Sequence, residues 1–145
     1  MGNLSEELNA NFTSEKLKAI INIKFTSHWL EAIANDWMKP YNLTIQQFNV
    51  LRILRGAKKP ITVQEVKKRM VERAPNATRL MDKLCKKTLI ERLRCDTDRR
   101  VVYVKITSEG LELLSQIDDK QHVDTLKNIS DEDAKLLNVI LDKIR

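Results

Sequence analysis

Apolar residues recur at every fourth position from Leu17 through Ile21, Phe25, Trp29 and Ile33 to Trp37. That spacing predicts a long first helix from Ser14 to Met38, closed before Pro40, whose ring cannot enter a helix interior. At 3.6 residues per turn, a strict row of fours rotates about 40° per step. A straight helix therefore cannot aim all six side chains at one neighbour, and Ile20, Ile23, Leu30 and Ala34 widen the stripe further. The helix is expected to meet its own domain at one end and something else, most simply a second subunit, at the other.

Thr44-Ile45-Gln46-Gln47 has the form of a capping box and opens a second predicted helix with Phe48, Leu51 and Leu54 on its buried face. It is expected to end at Gly56, before a basic turn, Ala57-Lys58-Lys59-Pro60. Thr62-Val63-Gln64-Glu65 repeats the box, with Ile61 and Val66 placed as a hydrophobic staple, and predicts a short helix ending near Met70 or Val71. A fourth helix is expected to start with Pro75 in its first turn. Its core stripe is Ala77, Leu80, Met81 and Leu84, and its opposite face carries Pro75, Arg79, Asp82 and Lys86, flanked by Thr78 and Lys83.

Ile90 to Arg94 and Val101 to Ile106 then read as two strands of a hairpin with a polar tip. Thr107-Ser108-Glu109 opens a fifth helix with Leu111, Leu114, Ile117, Val123 and Leu126 apolar, and Ser130 caps a sixth. The spacing of Ala134, Leu137, Leu141 and Ile144 in that last helix is that of a seam between packed helices. The chain has no repeat or low-complexity tract and reads as a single domain of residues 1–145, mostly α with a small β-hairpin wing (α+β).

A short capped helix, a tight turn and a second helix with a polar outer face make a helix-turn-helix, and the hairpin makes it winged. Charge supports that reading. Residues 55–105 carry 16 basic and 6 acidic side chains, whereas residues 1–54 carry 5 of each and residues 106–145 carry 5 basic and 9 acidic. A central block this basic points to a polyanion, and duplex DNA is the partner that such a helix fits, since the major groove is about 12 Å wide. Asn76, Thr78, Arg79 and Lys83, with Pro75, would face bases and phosphates. Arg79 is the candidate for bidentate contact with guanine, and Lys83 and Lys86 are candidates for phosphate. Thr62, at the start of the preceding helix, joins the set. At the wing tip, Arg99 or Arg100 would enter the minor groove, where the negative potential attracts arginine. Asp98 would support the tip through a charge-assisted hydrogen bond. Asp82, repelled by phosphate, is expected to pair along its own helix with Arg79 or Lys86.

The run Leu80 to Leu84, then Lys86-Lys87-Thr88-Leu89-Ile90-Glu91-Arg92, Asp96-Thr97-Asp98-Arg99-Arg100 and Ile106-Thr107-Ser108-Glu109-Gly110, resembles the MarR family of bacterial transcriptional regulators. The resemblance covers nearly the whole chain. It implies a homodimer held by N- and C-terminal helices (residues 14–38 and 107–145) around a winged helix-turn-helix (residues 41–106). It also implies a palindromic operator and, often, a small ligand or oxidant that alters DNA affinity. Two-fold symmetry would set the recognition helices about 34 Å apart, and the regulator is expected to act as a repressor. Carried over by position, Arg79 belongs to the recognition helix, Arg100 to the wing's minor-groove contact and Asp98 to the wing's internal support. The chain departs from the family at Thr88, where glycine is usual, which predicts a reshaped turn because threonine disfavours the left-handed conformation. The oxidant-sensing members keep a reactive cysteine near the N-terminal helix, whereas the first cysteine here is Cys85.

Other chemistry is sparse. Three glycines, Gly2, Gly56 and Gly110, exclude a glycine-rich phosphate loop. No apolar run approaches the roughly 20 residues of a membrane span. Cys85 and Cys95, with no export signal ahead of them, read as reduced thiols of a cytoplasmic protein. Lys86, Lys87 and Arg94 could lower a thiol's pKa, but the plainer reading, two ordinary semi-buried thiols, is preferred. With His28 and His122 the cysteines make no zinc spacing, so no metal, cofactor or catalytic set is expected. His28, Trp29 and Trp37 could line an effector pocket on the first helix. The alternative functions are a winged-helix module binding an acidic protein and a small enzyme built on the same scaffold.

Overall fold

The computed structural model describes residues 2–71, 76–117 and 124–145. The chain forms two compact units, residues 1–114 and 115–145. The fold is mostly helical, with a small antiparallel sheet and long N- and C-terminal helices.

In the first unit, a short α1 (Leu4–Glu7) precedes α2 (Glu15–Met38), whose N-cap Ser14 accepts from the Leu17 N–H. The C-terminal end of α2 is the packed end: Ala34 and Met38 are buried, and the Asn35 carboxamide accepts from the Ile45 N–H at 3.0 Å. Toward the N-terminus, Ile20 stands 58% exposed and Trp29 48% exposed. The predicted stripe is thus used by its own domain at one end only.

After a 3₁₀ turn (Lys39–Tyr41), α3 (Ile45–Ala57) starts at the complete Thr44/Gln47 capping box. It runs through Gly56 rather than ending there, and Lys58 takes the left-handed C-cap with φ 56°. Ile61 and Thr62 form β1, a strand the sequence reading missed. The Thr62 hydroxyl also caps α4 (Val63–Arg69). Of the second box only this half forms, because the Glu65 carboxylate lies 2.5 Å from Arg69. Helix α5 (Ala77–Lys86) begins later than expected, with Asn76 as N-cap, and Pro75 lies outside the described residues.

Strands β2 (Ile90–Arg94) and β3 (Val102–Ile106) make the wing, and β1 joins it to give the antiparallel order β1-β3-β2. Ile61 pairs with Val104 and Glu91 with Lys105, whose side chains also form an ion pair at 2.7 Å. The core gathers Phe48, Leu51 and Leu54 of α3, Met81 and Leu84 of α5, and Ile61, Val66, Ile90 and Val104, each at most 2% exposed. Ile61 and Val66 thus fill the staple positions and the core together.

The turn after α5 keeps its shape despite Thr88, correcting the expectation of a reshaped one. Thr88 adopts φ 60°, its N–H donates to the Cys85 carbonyl and the Leu89 N–H donates to the Leu84 carbonyl. These two bonds are a Schellman closure. Thr107 locks it: its hydroxyl donates to the Thr88 carbonyl at 2.6 Å and its N–H to the Leu89 carbonyl at 3.1 Å. Helix α6 (Ser108–Gln116) then starts so close that a Cβ at Gly110 would sit 2.3 Å from the Leu89 carbonyl oxygen and 2.7 Å from Ile106 Cγ1. Leu114 is buried on α6. The expected continuation of this helix to Val123 falls outside the described residues.

In the second unit, α7 (Asp131–Ile144) starts at a capping box of Ser130 and Asp133. Of its predicted seam, Ala134 and Leu141 are half-buried, while Leu137 is 46% and Ile144 64% exposed.

Two substitutions test the turn. Thr88→Gly is expected to raise the free energy of unfolding by about 1 kcal/mol, since a β-branched residue in the left-handed region costs roughly 1–3 kcal/mol. Gly110→Ala is expected to lower it by about 1–3 kcal/mol, because the Leu89 backbone must move. Urea denaturation of the two variants beside the parent measures both.

Candidate nucleic-acid interface

Helix α5 buries Ala77, Met81 and Leu84, so the remaining positions of its wheel face outward. Thr78, Arg79, Lys83 and Lys86 are exposed on that side, and Asn76 is exposed at the N-cap. A groove of about 410 Å³ separates the N-terminal part of α5 from the wing, lined by Thr62, Gln64, Lys67, Thr78, Arg92 and Arg100 among others. Three residues singled out from the sequence, Thr62, Thr78 and Arg100, meet there. Arg79, Lys83 and Lys86 lie on the outer face of the helix rather than in that groove.

Gln64, Lys67 and Arg92 were not anticipated. Arg92 carried no signal in the alternation of the strand: it shares strand parity with the buried Ile90 and pairs with the buried Val104, which would have turned it inward. Its guanidinium is 2.6 Å from the Asp82 carboxylate, both groups being about half exposed. Asp82 therefore pairs with the wing and not, as expected, with Arg79 or Lys86 along its own helix. The pair adds little stability at such exposure. It does neutralise the one carboxylate on the outward side of α5.

At the wing tip, Arg99 and Arg100 are exposed. The Asp98 carboxylate accepts from the Arg100 backbone N–H at 2.9 Å, and the Asp98 carbonyl accepts from the Val101 N–H at 3.1 Å. Asp98 thus folds the tip back on itself through its own carboxylate and carbonyl, leaving the arginine side chains outward.

The two thiols differ. Burial pushes the Cys85 thiol up, against the Arg92 charge, which lowers it, while Asp82 raises it further. Cys85 is a half-buried thiol without activation by the neighbouring lysines, in line with the plainer reading of the sequence. The Cys95 thiol is held below the usual thiol range, first by the Thr97 hydroxyl at 3.1 Å and then by the backbone N–H groups of Asp98 and Thr97. His28 is exposed, Trp29 largely so and Trp37 half-buried along α2, and none of them lines the groove beside the wing. Among the described residues, no group of three or more His, Cys, Asp or Glu side chains could hold a metal ion. Among the same residues, no helix is long and apolar enough to cross a membrane.

A short helix capped by Thr62, a second helix with a basic outward face and a three-stranded wing define a winged helix-turn-helix protein. The MarR family model matches residues 43–102. The multiple antibiotic resistance protein MarR of Salmonella typhimurium is 32% identical over 118 residues, covering 79% of this chain and 81% of that protein. The HTH-type transcriptional regulator MgrA of Staphylococcus aureus is 31% identical over 114 residues, covering 77% and 76%. Among solved structures, a cysteine-to-serine mutant of Escherichia coli MarR complexed with operator DNA superposes with a TM-score of 0.76 at 27% identity, covering 99% of each chain. The chain belongs to the MarR family of DNA-binding transcriptional regulators, which are not enzymes.

The thiol geometry carries a prediction. Cys95 is expected to react with iodoacetamide faster than Cys85 at neutral pH. Its rate should rise at lower pH than that of an ordinary thiol, because the hydrogen bonds favour its thiolate. Peptide mapping after timed alkylation measures both sites, and equal rates would contradict the assignment.

Proposed function

We propose that this protein is a homodimeric repressor that reads a palindromic operator in duplex DNA. The observation that carries the reading is the outward face of α5, with Arg79, Lys83 and Lys86 exposed beside a groove that Arg100 of the wing also lines. In this reading residues 41–106 bind DNA, with α5 in the major groove and the wing tip over the adjoining minor groove. Arg79 contacts bases, Lys83 and Lys86 contact phosphates, and Arg99 and Arg100 serve the minor groove with Asp98 behind them. Asn76, Thr78 and Thr62 complete the contact set, as does Pro75 by its place in the sequence.

Dimerisation is supported by the apolar residues that the chain leaves uncovered. Ile20 and Trp29 on α2, and Leu137, Ile140 and Ile144 on α7, are 46–64% exposed. Residues 14–38 and 107–145 then serve as the dimerisation helices. Two-fold symmetry presents two recognition helices to successive turns, about 34 Å apart. A dimer seated on a promoter excludes polymerase, which is the basis for repression. An apolar effector would find His28, Trp29 and Trp37 only where a second subunit closes over α2.

The test is a binding assay on duplex DNA from upstream of the protein's own gene. Observed affinity is expected to fall steeply with salt, because each neutralised phosphate releases counterions. Arg79→Ala should cost about 1–3 kcal/mol of discrimination between operator and scrambled duplex. Arg100→Ala should weaken binding to both with less change in preference. A flat salt response, or both variants binding as the parent does, would overturn the reading. Capture of an acidic protein with no duplex binding would replace it.

A further inference from the structure

A second groove, of about 500 Å³, lies between the α2–α3 turn and the C-terminal half of α5. Lys39, Lys83, Lys86 and Lys87 line it together with Thr44 and Gln47, and none of its lining residues is acidic. Among the described residues, the only carboxylate ion-paired to these lysines is Asp36, 2.6 Å from Lys39 and largely exposed. Lys87 donates to the Asn42 carbonyl, which ties the end of the recognition helix to the turn across the groove.

A cluster of lysines is often no more than a solvated surface, but Gln47 separates this one from that case. It is 4% exposed, the one buried polar side chain among the described residues. Its Oε1 accepts from the Thr44 N–H at 3.0 Å, which fixes which end of the carboxamide is which. Its Nε2 makes no hydrogen bond to any described residue. A buried donor without an acceptor costs about 1–3 kcal/mol, so an amide held in this way among the lining residues of a cationic groove calls for an acceptor from outside the described residues.

We propose that this groove is a phosphate-binding site. Four ammonium groups act as point charges suited to an oxyanion of more than one negative charge, and the Gln47 amide adds a directed donor. A phosphate seated there bridges α5 to the α2–α3 turn. The phosphate comes either from the backbone of duplex DNA flanking the major-groove contact or from a free phosphorylated molecule. Only the first source rests on the function proposed above.

Inorganic phosphate, titrated into the full-length protein at constant ionic strength against chloride, is the probe. Amide chemical shifts of residues 39–47 and 83–87 provide the readout, and duplex affinity is followed against salt in parallel. Two variants are compared with the parent: the surface double substitution Lys39→Gln with Lys87→Gln, and Gln47→Glu, which keeps an oxygen for the Thr44 N–H but opposes an anion. For a free phosphate, saturable shifts are expected in the parent, weakened about tenfold or more in each variant, with an unchanged salt slope on duplex. For a backbone phosphate, the double variant lowers that slope by about one. The double variant decides the matter even if Gln47→Glu does not fold. The site is overturned if the double variant keeps both the parent's phosphate response and its salt slope. A parent that binds phosphate but no duplex sinks the DNA reading while leaving the site in place.

Discussion

The turn at Thr88 and Leu89 is the constraint on which the winged helix-turn-helix depends. One hydroxyl and one amide of Thr107 take the carbonyls of Thr88 and Leu89, the two residues whose N–H groups close helix α5, and Gly110 lets α6 approach the same backbone. The end of the recognition helix, the end of the wing's last strand and the start of α6 are therefore fixed at one place. The energy at stake in each bond is modest, about 1 kcal/mol. The geometric effect is larger, because the orientation of α5 relative to the sheet decides whether Arg79 and Arg100 face the same side.

Electrostatics then builds on that frame. Three ion pairs, Arg69 with Glu65, Arg92 with Asp82 and Lys105 with Glu91, absorb acidic side chains of the basic segment internally. What is left facing outward is mainly cationic, Arg79, Lys83 and Lys86 on the helix and Arg99 and Arg100 on the wing, with Asp96 and Asp98 exposed at the wing tip. Among the described residues, Gln47 is the one buried polar side chain in the apolar core beneath. A surface of one sign repels itself, and a rigid apolar base is what keeps such a surface folded without its partner.

Much of this was legible in the sequence because its signals are local. The Thr44 capping box, the Ser130 box, the stripe of Ala77, Met81 and Leu84 and the alternation of the wing each depend on residues within one or two turns of one another. The misses have non-local or very short causes. Strand β1 is two residues long, below the length at which alternation can register. The partner of Asp82 is ten residues away on a strand, and no helical spacing rule reaches it. Helix α3 ran past Gly56 because Lys58 could take the left-handed position itself. Thr88 kept a conformation its side chain disfavours because Thr107, nineteen residues on, holds its carbonyl. The candidate site was legible in its residues but not in its grouping: Thr62, Thr78 and Arg100 share a groove only once β1 draws the start of α4 to the wing.

The ion pair of Arg92 with Asp82 gives the wing and the recognition helix a second attachment besides the Thr107 clamp. At half-exposed positions this second tie is weak and screened by salt, so the Thr107 hydrogen bonds set the angle between helix and hairpin and the ion pair only trims it. Raising the ionic strength therefore slackens one tie and spares the other.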